Sequence, residues 1–281
     1  MRAGAESWDL DSLWSAFDPI DLDELLVVAD LQTRRDRKYL VPLDEMANAL
    51  DLAVPGARIL TIDERRSFCY RSTYFDTIGL ECYLGAAHRR PTRFKVRTRH
   101  YVDTGTDMLE VKTRNRRGLT VKRRRPCRPG EAVALSCDGR AFVDDCLAER
   151  RPAQHLSPSL TTSYHRTTLH LPGDGARITI DVDLAWDSTD GRHLDLGPLA
   201  LIETKTDGRS CAVDRLLWAL GRRPVTISKY CTGLAALHPH LPANKWNRTL
   251  RHHLDWEPVE VSATWPRAEP WRMPPHSCRA G

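Results

Sequence analysis

The sequence lacks the features that would direct a protein into or across a membrane. Its 281 residues contain no apolar run that approaches the roughly 18–20 residues of a transmembrane helix. The apolar stretch nearest the N-terminus, residues 25–29, is short and has acidic residues before it. A secretory leader combines a basic start, an apolar core and a small-residue cleavage site, and residues 1–30 show none of these. We therefore expect a cytoplasmic protein without a membrane span.

The chain is also poor in the patterns that cysteine and aromatic residues form in zinc sites and nucleic-acid surfaces. Its eight cysteines include no pair at the C-x2-C spacing. Single-stranded nucleic acids are bound on aromatic rings that lie among basic residues. In the most basic segment only Phe94 and Tyr101 are placed in this way. Free thiols and no nucleic-acid partner are the expectations.

Charge is abundant, but it is distributed unevenly. The formal net charge is only +5. Residues 1–30 carry eight acidic residues against one arginine, whereas residues 88–125 carry fourteen lysines and arginines against three acidic residues. A basic segment of this density predicts an anionic partner. The acidic start either covers the basic segment or only keeps the protein soluble.

Short runs of alternating polarity, separated by turn residues, predict a fold rich in strands. The expected strands are 34–41, 68–75, 91–101, 107–114, 119–125, 160–170, 176–186, 198–206 and 224–230. Helices are expected at 22–28, 42–50, 130–148, 211–220 and 243–254, with little regular structure after Asp255. This order predicts an α+β fold on a mostly antiparallel sheet. The expected organisation is an acidic segment at 1–30, a folded domain at 31–240, and a tail rich in Pro, Trp and Arg at 241–281.

The strands share a pattern in which one face is charged and the other is apolar. Side chains alternate between the two faces of a strand, so residues 91–101 place four basic residues on one face and Phe94, Val96 and Thr98 on the other. A solvated outer face would look similar in any single strand. Repetition in many strands is typical of a sheet wrapped around a polyanion, because like charges on one face repel each other.

Two glutamates, Glu110 and Glu203, lie on the charged faces, each two residues before a lysine. One interpretation is that they form ion pairs with neighbouring arginines. The other is that they hold a divalent cation against phosphate groups, since Mg²⁺ takes one or two carboxylates and fills its remaining positions with water and phosphate oxygens. The second interpretation predicts a phosphoryl-transfer site.

A series of short motifs resembles the VTC (vacuolar transporter chaperone) domain. These domains are polyphosphate polymerases of the triphosphate tunnel metalloenzyme superfamily, which also includes CYTH-type phosphatases. The motifs occupy residues 38–39, 72–77, 95–99, 110–112, 122–124, 164–167, 202–205 and 228–230, and the resemblance spans about residues 30–240. The first-strand motif of the wider superfamily, E-x-E-x-K, reads Arg34, Asp36 and Lys38 here. This departure fits the VTC branch better than the triphosphatases.

The resemblance implies an antiparallel β-barrel that forms a tunnel, with helices packed outside, and it implies roles for individual residues. The residues that match catalytic phosphate-binding positions are Arg97, Arg99, Lys112, Arg166 and Lys229. Further substrate-binding positions match Lys38, Lys122, Tyr164, Arg177 and Ser228, and metal-binding positions match Glu203 and Glu110. The implied cofactor is Mn²⁺ or Mg²⁺.

The implied reaction is transfer of the γ-phosphoryl group of ATP to the end of a growing inorganic polyphosphate chain. Two alternatives stay open at this point. One is a triphosphatase of the same fold that hydrolyses tripolyphosphate or a nucleoside triphosphate. The other is a non-catalytic module that binds polyphosphate. All three need a phosphate-lined tunnel, so the residues alone do not separate them.

Overall fold

In the computed structural model, which describes residues 10–28, 35–128, 130–147 and 152–259, strands alternate with short helices. The strands are β1 (Asp18–Ile20), β2 (Arg35–Pro42), β3 (Arg58–Leu60), β4 (Phe68–Asp76), β5 (Arg93–Tyr101), β6 (Thr106–Arg114), β7 (Thr120–Pro126), β8 (Ser157–Leu171), β9 (Ala176–Ser188), β10 (His193–Asp195) and β11 (Leu199–Thr206). The helices are α1 (Leu10–Ser15), α2 (Leu22–Val28), α3 (Leu43–Ala53), α4 (Glu81–Ala87), α5 (Cys137–Leu147), α6 (Ala212–Ala219), α7 (Lys229–Leu237) and α8 (Asn247–His253).

All the long strands belong to one antiparallel sheet in the order β2-β11-β9-β8-β4-β5-β6-β7. Short β10 extends it beside β9, β3 pairs with β8, and β1 pairs with β3 in parallel. The predicted α+β class and antiparallel sheet are therefore confirmed. The edge strands β2 and β7 are not paired with each other within the described ranges. Closure into a hydrogen-bonded barrel is thus not confirmed.

The predicted strand at 224–230 is wrong. Residues 222–228 have no regular secondary structure. They contact the edge strand β2 through the Val225 amide, which donates a hydrogen bond to the Lys38 carbonyl oxygen at 2.7 Å, and through the Ile227 carbonyl oxygen, which accepts one from Nζ of Lys38 at 3.5 Å. Helix α7 then begins at Lys229, and the Ser228 hydroxyl caps it by accepting a hydrogen bond from the Cys231 amide. A serine N-cap satisfies an otherwise unpaired helical amide. The aromatic and apolar residues that suggested a strand instead pack as a buried helix.

The predicted helices are present, with one large change in length. Residues 130–133 form a turn, and α5 begins only at Cys137, although a helix over 130–148 was predicted. The Glu131 carboxylate fixes this turn, because it accepts hydrogen bonds from the Arg128 amide and the Arg125 side chain. Helix α4 was not predicted. It is anchored by the buried Asp76 carboxylate, which accepts hydrogen bonds from the first amides of the helix.

The apolar faces of the strands point outward and pack against the helices. The larger apolar cluster joins β4, β5, β6 and β8 to α4 and α7, and the second joins β2, β9 and β11 to α3 and α6. Trp246, from the predicted tail, lies in the larger cluster and is buried. Residues 260–281, the rest of that tail, lie outside the described residues. Within the described ranges, no helix combines the length and apolarity needed to cross a bilayer.

Candidate active site

A cavity of about 450 Å³ lies on the inner face of the sheet. Each of the eight long strands contributes a charged or polar side chain to its wall, and the start of α7 and one face of α2 complete it. All twelve residues predicted from the sequence line this cavity, namely Lys38, Arg97, Arg99, Glu110, Lys112, Lys122, Tyr164, Arg166, Arg177, Glu203, Ser228 and Lys229. Helix α2, part of the acidic N-terminal segment, contributes Leu22, Leu25 and Leu26.

The alternation along β7 shows how the local sequence builds this wall. Lys122 and Arg124 line the cavity. Their neighbour Arg123 points the other way and forms an ion pair with Asp145 of α5 at 2.8 Å. Because successive side chains of a strand lie on opposite faces, a run of four basic residues supplies two to the cavity and two to the outside, as the sequence predicted.

Glu110 is the centre of a buried charge cluster on β5, β6 and β7. Its carboxylate lies 2.5 Å from an Nη atom of Arg97, 2.5 Å from Nζ of Lys122 and 3.9 Å from an Nη atom of Arg99. Burial raises the pKa of Glu110, but Arg97, Arg99 and Lys122 outweigh this effect and lower it to about 2. Glu110 is therefore ionised and engaged by cations on several sides.

Asp181 on β9 holds a second charge cluster, and it was not among the predicted site residues. It accepts two hydrogen bonds from the Arg166 guanidinium, at 2.6 and 2.8 Å, and forms a short ion pair with Lys229. The Asp181 side chain is buried. Burial raises its pKa, but Arg166 and Lys229 lower it well below the usual range for aspartate. The position of Asp181 on the charged face of its strand was the only sequence signal that indicated it.

Glu203 on β11 forms the third cluster, at one edge of the sheet. Its carboxylate lies 3.1 Å from Nζ of Lys205 and opposite Lys38 of β2 in the strand register. Lys38 and Lys205 lower the pKa of Glu203 well below its usual range despite burial. The pKa of Lys205 is lowered to about 8, mainly by burial. Asp36 also lines this part of the cavity.

Several buried polar atoms on the cavity wall make no hydrogen bond with the residues that the structure describes. Those that can donate include Nε of Arg99, the hydroxyl of Tyr164 and Oγ1 of Thr179. Most buried polar groups in proteins are paired. Nε and the two hydroxyls can each donate a hydrogen bond, so they are suited to the oxygens of an anionic ligand.

Tyrosine rings make cation–π contacts with the basic side chains of the cavity wall. The Tyr70 and Tyr164 rings stack at 5.4 Å, and the guanidinium carbon of Arg166 lies 5.4 and 5.3 Å from their respective centroids. Nζ of Lys229 lies 4.3 Å from the Tyr164 centroid. Cation–π contacts of this kind fix the direction of a long basic side chain. The tyrosines therefore stabilise the positions of Arg166 and Lys229 at the cavity wall.

The carboxylates differ in how well they suit a divalent metal. Among the described residues, no group of three or more His, Cys, Asp or Glu side chains is arranged to hold a metal ion by itself. Glu203 and Asp36 lie on paired strands and both line the cavity, which fits Mg²⁺ or Mn²⁺ that also uses phosphate oxygens. Glu110 is already paired with Arg97 and Lys122, so its geometry is that of a counter-ion.

The class that the fold and the site define is an α+β protein whose antiparallel sheet presents a cationic face to a cavity. The family comparison agrees with this class. The chain matches the family model of the VTC domain over residues 33–238, most of its length, and it belongs to that family. A comparison with curated proteins finds no significant match.

Solved structures resemble the chain only distantly. The putative adenylyl cyclase HpAC1 from Hippeastrum, described as having a dominant triphosphatase activity, is 14% identical with a TM-score of 0.48, over 75% of this chain and 98% of that one. Protein PH1819 from Pyrococcus horikoshii is 13% identical with a TM-score of 0.40, over 71% and 94% of the two chains. A conserved hypothetical protein from Pyrococcus furiosus is 11% identical with a TM-score of 0.34, over 67% and 88%.

Proposed function

We propose that this protein is a polyphosphate polymerase that transfers the γ-phosphoryl group of ATP to the end of an inorganic polyphosphate chain. The observation that carries the proposal is the cavity wall, where cations from every part of the sheet surround buried donors without protein partners. In the reaction, a terminal phosphate oxygen of the chain attacks the γ-phosphorus. The bond from that phosphorus to the oxygen of the leaving ADP breaks, and the polyphosphate is one unit longer.

The protein's own contribution is to bind and align two anionic groups. No nucleophilic side chain is needed, because the attacking atom is a phosphate oxygen, so catalysis depends on alignment and charge neutralisation. Nε of Arg99 is buried without a hydrogen-bond partner in the described part of the chain, and the contact of Arg99 with the Glu110 carboxylate is long, at 3.9 Å, which suits it to the transferred phosphate. Arg166 and Lys229 are held by Asp181, and Arg97 by Glu110, so they meet the substrate in fixed positions.

Glu203 is the residue we propose as a metal ligand, and Asp36, which lies opposite Lys205 on the paired strand and also lines the cavity, is a second candidate. Mn²⁺ or Mg²⁺ bound there would supply positive charge to the phosphate oxygens as negative charge develops on them. Lys38 and Lys205, which flank Glu203, orient the phosphates at this edge of the sheet. Glu110 is proposed as the counter-ion that positions Arg97 and Lys122.

Product analysis tests the proposal directly. Purified protein is incubated with ATP and Mn²⁺ or Mg²⁺, and the products are resolved on a polyacrylamide gel stained for polyphosphate. A ladder of long chains with release of ADP supports the polymerase. Release of inorganic phosphate without a ladder would establish a triphosphatase. Tight binding of polyphosphate with no turnover would establish a non-catalytic binding module.

Two variants test the residue roles. Replacing Arg99 by Met keeps much of the side-chain volume and removes the phosphate donor, and we expect the rate to fall about 10²–10³-fold. The matched control is Arg71→Met on the neighbouring strand, because Arg71 is exposed outside the cavity. A wild-type rate in Arg99→Met would refute the assignment.

Replacing Glu203 by Gln removes the proposed metal ligand with little change in shape. We expect metal-dependent turnover to be lost while metal-free binding of tripolyphosphate persists, since a carboxylate is removed from a cationic site. The control is Glu257→Gln, which changes an exposed glutamate. An unchanged dependence of rate on Mn²⁺ concentration would exclude Glu203 as a ligand.

A further inference from the structure

A second and a third cavity lead away from the candidate active site. The second, of about 270 Å³, shares Lys95, Lys112 and Ser228 with the wall of the active-site cavity. The third, a surface recess of about 420 Å³, shares Arg93, Arg114 and Lys245 with the second. The three cavities therefore follow one another from the centre of the sheet to the surface of the protein.

The charged side chains described on the walls of the two outer cavities are all basic. Arg93 and Arg114 lie directly opposite each other on β5 and β6, and Lys245 approaches them from the segment before α8. The recess adds Arg89 and Arg116. No described residue that lines either outer cavity is an aspartate or a glutamate. The active-site cavity differs in this respect, because carboxylates lie among its cations.

The basic residues of this path repel one another within a partly buried environment. Burial lowers the pKa of Lys245, and the nearby Arg93, Arg89 and Lys95 lower it further. Burial also lowers the pKa of Arg93, and its cross-strand neighbour Arg114 adds to the effect. Like charges opposite each other in a sheet cost stability. A bound polyanion would relieve that cost along the whole path.

The ammonium group of Lys245 contacts a carbonyl oxygen and an aromatic ring. Its Nζ donates a hydrogen bond to the Ala86 carbonyl oxygen at 3.2 Å and lies 5.4 Å from the centroid of the Trp246 ring. These contacts hold the ammonium group at the cavity without supplying a negative charge. Lys245 also lies beyond residues 33–238, so this part of the path comes from outside the matched family region.

We propose that the two outer cavities bind the distal part of a linear polyphosphate chain without a metal, and that they keep the chain attached between successive additions. The second half of this statement rests on the proposed polymerase function, and the first half does not. Polyphosphate fits because its charge repeats along a thin chain, as the row of cations does. Single-stranded nucleic acids bind by stacking their bases on aromatic rings. The described wall of the second cavity has two aromatic residues, Phe94 and Trp246, and Lys245 lies over the Trp246 ring, so a nucleic acid fits poorly.

Metal-free binding tests the first half. The double variant Arg93→Gln/Arg114→Gln and the single variant Lys245→Gln are titrated with labelled long-chain polyphosphate and with tripolyphosphate, in EDTA and at several salt concentrations. We expect long-chain affinity to fall about tenfold in the double variant, with a salt dependence smaller by about two counter-ions. Tripolyphosphate affinity should change less than twofold, because three phosphates fit within the central cavity. The single variant should show a smaller loss of the same kind.

The control is Arg192→Gln/Arg215→Gln, which removes two exposed positive charges elsewhere on the protein. It should bind both ligands as the wild type does. Equal long-chain affinity in wild type and in both test variants would overturn the proposal. An equal loss for tripolyphosphate and for the long chain would also overturn it, because the outer cavities would then not be a separate site.

Product length tests the second half. If the wild type makes a ladder from ATP, the double variant should release shorter chains than the control does. Unchanged chain length with weakened binding would overturn the claim about successive additions. If the wild type makes no ladder, the proposed function has failed, and the binding titration alone decides whether the outer cavities hold polyphosphate.

Discussion

Replacing Asp181 by Asn should destabilise the protein while making it a stronger anion binder. Asp181 is 1% exposed and neutralises both Arg166 and Lys229. Removing one member of a buried ionic cluster costs about 3–5 kcal/mol, and Asn keeps the shape and one acceptor oxygen, so we expect the lower end, about 3 kcal/mol. For a protein of this size each kcal/mol lowers Tm by about 2–4 °C. The expected loss is therefore about 6–12 °C.

The matched control is Asp183→Asn. Asp183 lies two residues further along the same strand, is exposed, and pairs with His165 at 3.1 Å. Exposed ion pairs contribute about 0–1 kcal/mol, and Asn tolerates the positive φ of this position nearly as well as Asp does. Thermal unfolding of the wild type and the two variants at pH 7 measures the difference. An equal Tm for Asp181→Asn and Asp183→Asn would refute the charge-cluster argument.

The effect of Asp181→Asn on Tm can also be measured with tripolyphosphate present and at low pH. Tripolyphosphate should raise the Tm of Asp181→Asn more than that of the wild type, because phosphate oxygens replace the lost carboxylate and binding stabilises the folded state. The pKa of Asp181 is lowered on folding, so its contribution is complete above its unfolded pKa of about 3.9 and is lost as the pH falls below that value. The Tm difference between wild type and variant should therefore shrink below about pH 4. A difference that stays constant down to pH 2 would contradict this account.

Two further substitutions test the packing that holds the site. Gly233→Ala should destabilise the protein by about 1–3 kcal/mol in urea unfolding, because a Cβ there would collide with the Trp186 ring, whereas Gly173→Ala, with no atom within 4 Å of the added Cβ, should have little effect. Glu131→Gln should lower the Tm at pH 7, because the buried Glu131 carboxylate holds Arg125 and the turn before α5. The pKa of Glu131 is lowered to about 2, so its stabilising effect is lost as the pH falls from about 4.3 to 2. The Tm values of the wild type and Glu131→Gln should therefore become equal near pH 2. Equal stability of the two glycine variants, or a Glu131→Gln difference independent of pH, would contradict these interpretations.

The local alternation of the sequence was enough to predict most strands and which side chains face the cavity. Each strand of the charged pattern, such as β5 with Arg97 inward and Val96 outward, needs only the two-residue period of an extended chain. Elements set by distant contacts were missed. Helix α4 depends on Asp76, whose carboxylate also accepts a hydrogen bond from Tyr230, 154 residues away. No local pattern contains that contact.

The sequence by itself therefore determined the charge of the inner face, since period and residue type are local properties. Only the tertiary structure decided which cations are bound by carboxylates and which are open to a ligand. Asp181 meets Arg166 through the pairing of β8 with β9 and meets Lys229 through the docking of α7, 48 residues away. Arg99 has an unpaired Nε for the same reason. Partners in a sheet are set by register and helix packing, which couple residues far apart in the chain.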